Sequence, residues 1–293
     1  MPTESRARTD ARYIEKRILE SAAGHDILLL LGVPLLLVSV FALPLSVREQ
    51  FVFSYAEPDL FTAFVSHFVH LQPAHLLANV LGYALLVSVC YVLSVASDDR
   101  EAFLVVFVSL LVVLPATLSL LNLAVFRPRV SFGFSGVVMG FFGYLPLALF
   151  RYLRSFTDLP VTDADAPAFF FFGIVLIAAA ALPGVSVGTA IATGAFVVGS
   201  GYVWGVSRRT KRSLTTLARE SLAQPGIVEL GLVGGILFVG YPFVAFPADP
   251  VSDGQIFNLY SHLLGYCLSF IAAYVTGVVV GFDFAGARTR DGS

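Results

Sequence analysis

The sequence predicts an all-α polytopic membrane protein with about eight transmembrane helices, and three observations carry that prediction. The chain has 293 residues, 57% hydrophobic and only 13% charged, with a mean hydropathy of +0.84. A water-soluble domain of this length has too little interior to hide so much apolar surface. Asp, Glu, Lys and Arg are absent from 27–47, 76–96, 102–126, 130–150 and 166–207, runs at or above the ~20 residues that cross a bilayer as a helix. In hydrocarbon a backbone must satisfy its own hydrogen bonds, so such runs are helical. Third, the cations are distributed unevenly over the connecting segments.

The elements follow in order. Residues 1–26 are polar and of mixed charge, too long and too acidic for a cleaved leader, and are expected to form a cytoplasmic segment. A transmembrane domain is expected over 27–282, and a cytoplasmic tail over 283–293. Within that domain the spans are placed near 27–47, 75–96, 102–126, 133–152, 167–183, 186–206, 227–247 and 256–281. The run 166–207 is too long for one helix, and Pro183-Gly184 is the natural turn that divides it. Glu229 opens the seventh span, where a helix N-terminus favours a carboxylate. Segments 11–21 and 208–222 are amphipathic and read as solvated or lipid-surface helices.

With the N-terminus inside, the inner segments hold 15 of the 18 Lys and Arg residues, and the outer loops hold only Arg48, Arg127 and Arg129. That is the positive-inside asymmetry, and it supports an even number of spans with both termini cytoplasmic. The net charge of −2 says little about partners, because the charges sit in tails and loops. No basic groove with interleaved aromatics points to nucleic acid. Cys90 and Cys267 fall inside apolar runs and read as packing residues, not a disulfide.

Polar residues at membrane depth are a functional signal. In this topology the second, fourth and eighth spans run from outside to inside. His75 and Asn79 open the second, Ser135 the fourth and His262 the eighth, so the four share one layer in the outer half of the bilayer. A serine hydroxyl is a weak nucleophile until a base takes its proton. His262 is the candidate base and later the acid for the leaving amine. His75 and Asn79, four residues apart, share a helix face. Both can donate to an oxyanion, an effect worth about 3–4 kcal/mol per donor. Gly133 and Gly136 flank Ser135 and allow a tight turn and close backbone approach. No carboxylate is available in these spans to complete a triad. Ser261, Gly265, Ser269, Ala273 and Gly277 recur every four residues, centred on the face of His262, and the fourth span answers with Gly136, Gly140 and Gly143. Small residues let membrane helices approach closely, so these two spans are expected to touch.

The same residues resemble the rhomboid family of intramembrane serine proteases. The resemblance rests on three motifs in order: His70, His75 and Asn79 in HFVHLQPAHLLANVLGY, Ser135 in GFSGVVMGFFGY, and His262 with Gly265 in the last span. It covers about 60–155 and 255–281. It implies a helical bundle, a six-helix core plus two extra helices, that hydrolyses peptide bonds in or near transmembrane segments of other membrane proteins. It assigns Ser135 as nucleophile, His262 as base, and His75 with Asn79 as oxyanion stabilisers, at a site opening to the outer face. No metal or organic cofactor is implied. The chain departs from the pattern in three places. Three spans, not one, separate the Ser and His helices. Met139 stands where an aromatic residue commonly packs on the catalytic His. The Trp-Arg pair often found in the first outer loop is absent.

Other classes fit less well. A transporter would carry intramembrane charges, and the central spans have none. There is no His-Glu-x-x-His motif and no pair of intramembrane Asp residues. His67, His70 and His75 lack a carboxylate or Cys partner and suit no common metal site; His70 reads as structural. The remaining alternative is an inactive rhomboid-like protein that binds membrane clients. The lack of a transit or signal peptide favours a prokaryotic cell membrane. Partners are the lipid bilayer and transmembrane substrates; the oligomeric state is not encoded in any feature of the sequence.

Overall fold

The computed structural model describes residues 22–125, 130–156, 161–210, 227–252 and 255–279. The amphipathic stretch 11–21, most of 208–222 and the tail 283–293 lie outside the described residues. The long elements are α1 (Gly24–Phe41), α4 (Pro73–Ala96), α5 (Arg100–Val112), α6 (Leu114–Asn122), α7 (Ser135–Phe156), α8 (Pro167–Ala181), α9 (Ser186–Thr210), α10 (Ile227–Ala245) and α11 (Leu259–Tyr274). Two short helices, α2 (Leu45–Arg48) and α3 (Leu60–Val65), lie in the first loop. Among the described residues seven helices are long and apolar enough to cross a membrane, and the bent pair α5 with α6 makes an eighth when taken as one span. Their outer faces carry Leu28, Leu35 and Val244 at 66–74% exposure, a surface suited to lipid.

The observed spans follow the expected ones, with two differences at their ends. The first span stops at Phe41, and Pro44 then caps the separate short helix α2. The third is bent by 45° between α5 and α6. Pro115, in the first turn of α6, has no N–H, so the ladder of α5 cannot continue through it.

α7 is the centre of the bundle: 94% of its apolar window is buried. Helices α4, α10, α8, α11, α6 and α5 form a ring around it, α1 packs outside α4, and α9 packs outside α8. Tyr266 of α11 donates to Phe170 O of α8 at 2.9 Å and stacks on the Phe170 ring. α7 and α11 do meet along their small-residue faces. A Cβ on Gly143 would lie 2.2 Å from Tyr266 O, and one on Gly265 would lie 2.3 Å from Gly136 O.

Charge collects at the end of the bundle away from Ser135. Asp26, fully buried, accepts from Tyr91 (2.7 Å) and from Arg100 Nε and Nη2 (both 2.6 Å). Arg154 pairs with Asp163, and Arg209 with Asp165, each at 2.5 Å. These ties clasp α1 to α4 and α5, and α7 and α9 to the loop before α8.

Candidate active site

Ser135 is the first residue of α7, and the segment leading to it is held from several sides. Strands β1 (Phe53–Ser54) and β2 (Val130–Ser131) pair antiparallel, joining the first loop to this segment. The Gly133 N–H donates to Ser66 O at 3.0 Å. Gly133 has φ +103°, where L side chains are strained, and a Cβ there would sit 2.4 Å from His75 Cε1. Gly136 is close-packed as well: its Cβ would meet Leu118 Cδ1 at 2.7 Å and Ser261 Oγ at 3.0 Å. The first intrahelical bonds run from Val137 and Val138 N–H to Phe134 O, both 3.0 Å. The N–H groups of Ser135 and Gly136 therefore have no acceptor within the helix, as at any helix start. They form the positive end of the α7 dipole.

His262 sits one turn into α11, buried at 4% exposure. Asn258 caps that helix by accepting from Ser261 N–H (3.1 Å), and its Nδ2 donates to Asn122 Oδ1 of α6 (2.9 Å). His262 Nδ1 lies 2.8 Å from Ala245 O. A carbonyl only accepts, so the proton is on Nδ1 and Nε2 is left as a lone pair. Ala245 ends α10, where last-turn carbonyls lack helical donors. The Phe246 ring stands edge-on to the imidazole, 5.8 Å away at 88°.

His75 is half-buried between His70 (ring centroids 5.0 Å) and Phe132 (5.8 Å), close enough to His262 to interact electrostatically. Asn79 is 4% exposed, and its Nδ2 donates both to His70 Nε2 (2.9 Å) and to His75 O (3.0 Å). His70 Nε2 also faces Phe134 N–H at 3.4 Å. That nitrogen accepts from two donors, which requires a neutral ring. Burial, with His75 and Arg48 nearby, pushes its pKa down to about 3. Arg48, 8% exposed, donates to Leu43 O and His70 O and lies over the Phe41 ring.

The structure thus brings His75 against Gly133, and α11 against α7 at Gly136. It does not join Ser135 to His262: among the described residues no hydrogen bond within 3.5 Å links them. Met139 is buried against Gly265, and the aromatic contact to His262 comes from Phe246 instead. Sequence reasoning missed Ala245 and Phe246. The first acts through a backbone carbonyl, which leaves no mark in residue type. It also missed Ser119, whose Oγ lies 3.0 Å from His67 Nε2. Among the described residues no three His, Cys, Asp or Glu side chains gather in a way that could hold a metal ion.

A sequence model of the family described as Rhomboid domain matches residues 57–209, a little over half of the 293 residues. The chain belongs to the rhomboid family. No curated protein and no solved structure matches it. The rhomboid match spans α3 to α9 and includes His70, His75, Asn79 and the Gly133–Gly136 turn. It ends before α10 and α11, so His262 and its carbonyl partner lie beyond it. Membership makes this rhomboid an integral membrane protein of an intramembrane-protease family, a family that acts on transmembrane substrates within the bilayer.

Proposed function

We propose that this rhomboid is a serine endopeptidase in which Ser135 and His262 act as a dyad on peptide bonds in or near transmembrane segments. The observation that carries the reading is the fixed tautomer of His262: Nδ1–H held by Ala245 O, Nε2 bare. Nε2 takes the Ser135 proton as Oγ adds to the scissile carbonyl. It returns that proton to the amine as the C–N bond breaks. Water then adds to the acyl-enzyme by the same exchange, releasing the carboxylic acid and restoring Ser135.

Two helix ends support the charges that develop. The C-terminus of α10 favours the imidazolium, a neutral substitute for the carboxylate of a triad, worth about 0.3–1 kcal/mol and up to ~2 when partly buried. The N-terminus of α7 favours the oxyanion, with the Ser135 and Gly136 N–H groups, His75 and Asn79 as donors. Asn79 donates to an oxyanion only by releasing His70 or His75 O, so substrate binding must exchange one of those bonds. Catalytic hydrogen bonds are often long before substrate enters, and closure of the gap between Ser135 and His262 belongs to that step. The cation asymmetry supports cytoplasmic termini and an active site opening to the outer face of the membrane.

A rhomboid-like protein that holds membrane clients without cutting them is the second reading, favoured by the unbonded Ser135 and the engaged Asn79. Cleavage of a single-span substrate in proteoliposomes separates the two. The dyad requires that wild type cuts and that Ser135→Ala and His262→Ala do not. Equal cleavage by wild type and Ser135→Ala would sink it.

A further inference from the structure

We propose that the groove between α5–α6 and α11 is a binding site for one anionic glycerophospholipid, with its acyl chain along the groove and its phosphate at Arg151. The groove holds about 290 Å³ and is walled by Val105, Ser109 and Leu114 on one side and Leu268 and Ala272 on the other. Its lining is apolar apart from a few groups, and two of these are buried and carry a side-chain atom that makes no hydrogen bond. Arg151, 6% exposed, has an Nε with no hydrogen-bond partner, and Ser269, 2% exposed, has a hydroxyl with none. Neither belongs to the site at Ser135. A chain of methylenes matches the walls. A phosphate matches the guanidinium, and an ester oxygen matches the hydroxyl further along α11.

Among the described residues, Arg151 shares its nearest carboxylate with a second arginine. Asp163 lies 3.8 Å from Arg151 Nε, but the same carboxylate oxygen is taken by Arg154 at 2.5 Å. Asp99 also lies near enough to Arg151 to interact with it electrostatically, and burial raises its pKa. Charge complementarity also selects the occupant. A transmembrane peptide carries its own Lys and Arg at the cytoplasmic end and would meet Arg151 with like charge. Anionic lipids concentrate in that leaflet.

The test is native mass spectrometry of the full chain, titrated with phosphatidylglycerol or phosphatidylcholine of equal chain length. Wild type should retain one phosphatidylglycerol about fivefold more strongly than phosphatidylcholine, the factor expected of one basic side chain near the headgroup. Arg151→Gln should remove the preference, and Ala272→Phe, which fills the groove from an exposed position, should remove retention of both lipids. If Arg151→Gln does not fold, Ala272→Phe decides. No preference in wild type, or unchanged retention in Ala272→Phe, overturns the proposal. The readout is independent of proteolysis, so an inactive enzyme would leave it standing.

Discussion

Two serine–histidine pairs can be compared among the described residues, and the one joined by a hydrogen bond is the worse candidate for chemistry. Ser119 Oγ lies 3.0 Å from His67 Nε2, but it also donates to Ala63 O at 2.7 Å. Its single proton is committed to the carbonyl, so His67 must present Nε2–H to it and cannot act as its base. Both residues are buried, at 3% and 6% exposure. Ser135 and His262 share no bond in the resting structure. Yet Ser135 is half-buried at a helix N-terminus, and His262 keeps its Nε2 lone pair free because Ala245 O holds the other nitrogen. The difference teaches that proximity alone does not define a dyad. Who holds the proton, and what lies behind the imidazole, decide it.

The largest effect should come from exchanging the two serines for alanine. Ser135→Ala is expected to lower kcat by at least about 10³-fold. Ser119→Ala should leave the kcat of folded protein within about twofold. It should instead cost about 1–3 kcal/mol of stability, because buried partners lose a hydrogen bond. Turnover and thermal denaturation of both variants, measured side by side, check this. Comparable kcat losses in the two variants would erase the distinction.

A second tier concerns the oxyanion. His75→Ala should reduce kcat by about 10²–10³-fold with little change in KM, the pattern of a donor used mainly in the transition state. Gly143→Ala should act without touching the site. The new methyl meets the Tyr266 carbonyl at 2.2 Å, so α11 must move off α7. That overpacking costs about 1–3 kcal/mol, and shifting His262 by ~1 Å can cost about 10² in rate. A folded Gly143→Ala enzyme with full activity would show that α11 is not positioned by this contact.

The smallest effect is on pH dependence. Burial pushes the His67 pKa down to about 4 and that of His70 to about 3, both below the ordinary 6.5. The unfolded chain therefore binds protons that the folded chain refuses. Their contribution to stability is complete above about pH 6.5 and is lost as pH falls toward 4 and then 3. Tm should decline over that window, with a shallower decline in His70→Gln. A Tm flat from pH 7 to 4 would mean that these imidazoles are not held neutral.

Much of the fold was legible because lipid imposes a simple code. Charge-free runs mark spans, and the eight expected correspond to the seven long apolar helices plus the bent α5–α6 pair among the described residues. The four-residue recurrence of Ser261, Gly265 and Ser269 showed which face of α11 approaches α7. The bend at α5–α6 was signalled by Pro115 but hidden in a continuous apolar run. The residues of the candidate site were legible by type and depth; their support was not. Ala245 contributes a carbonyl, the β1–β2 contact is two residues long, and Arg48 fastens a loop by donating to Leu43 O and His70 O. Backbone partners are set by how helices dock, and side-chain patterns do not encode them.

The most direct test is labelling with a fluorophosphonate, which reacts only with an activated serine. Peptide mapping of the wild-type protein should find the adduct on Ser135, and His262→Ala should abolish it while Ser119→Ala leaves it intact. An adduct on Ser119, or one on Ser135 that survives His262→Ala, would contradict the assignment of Ser135 and His262 as the working pair.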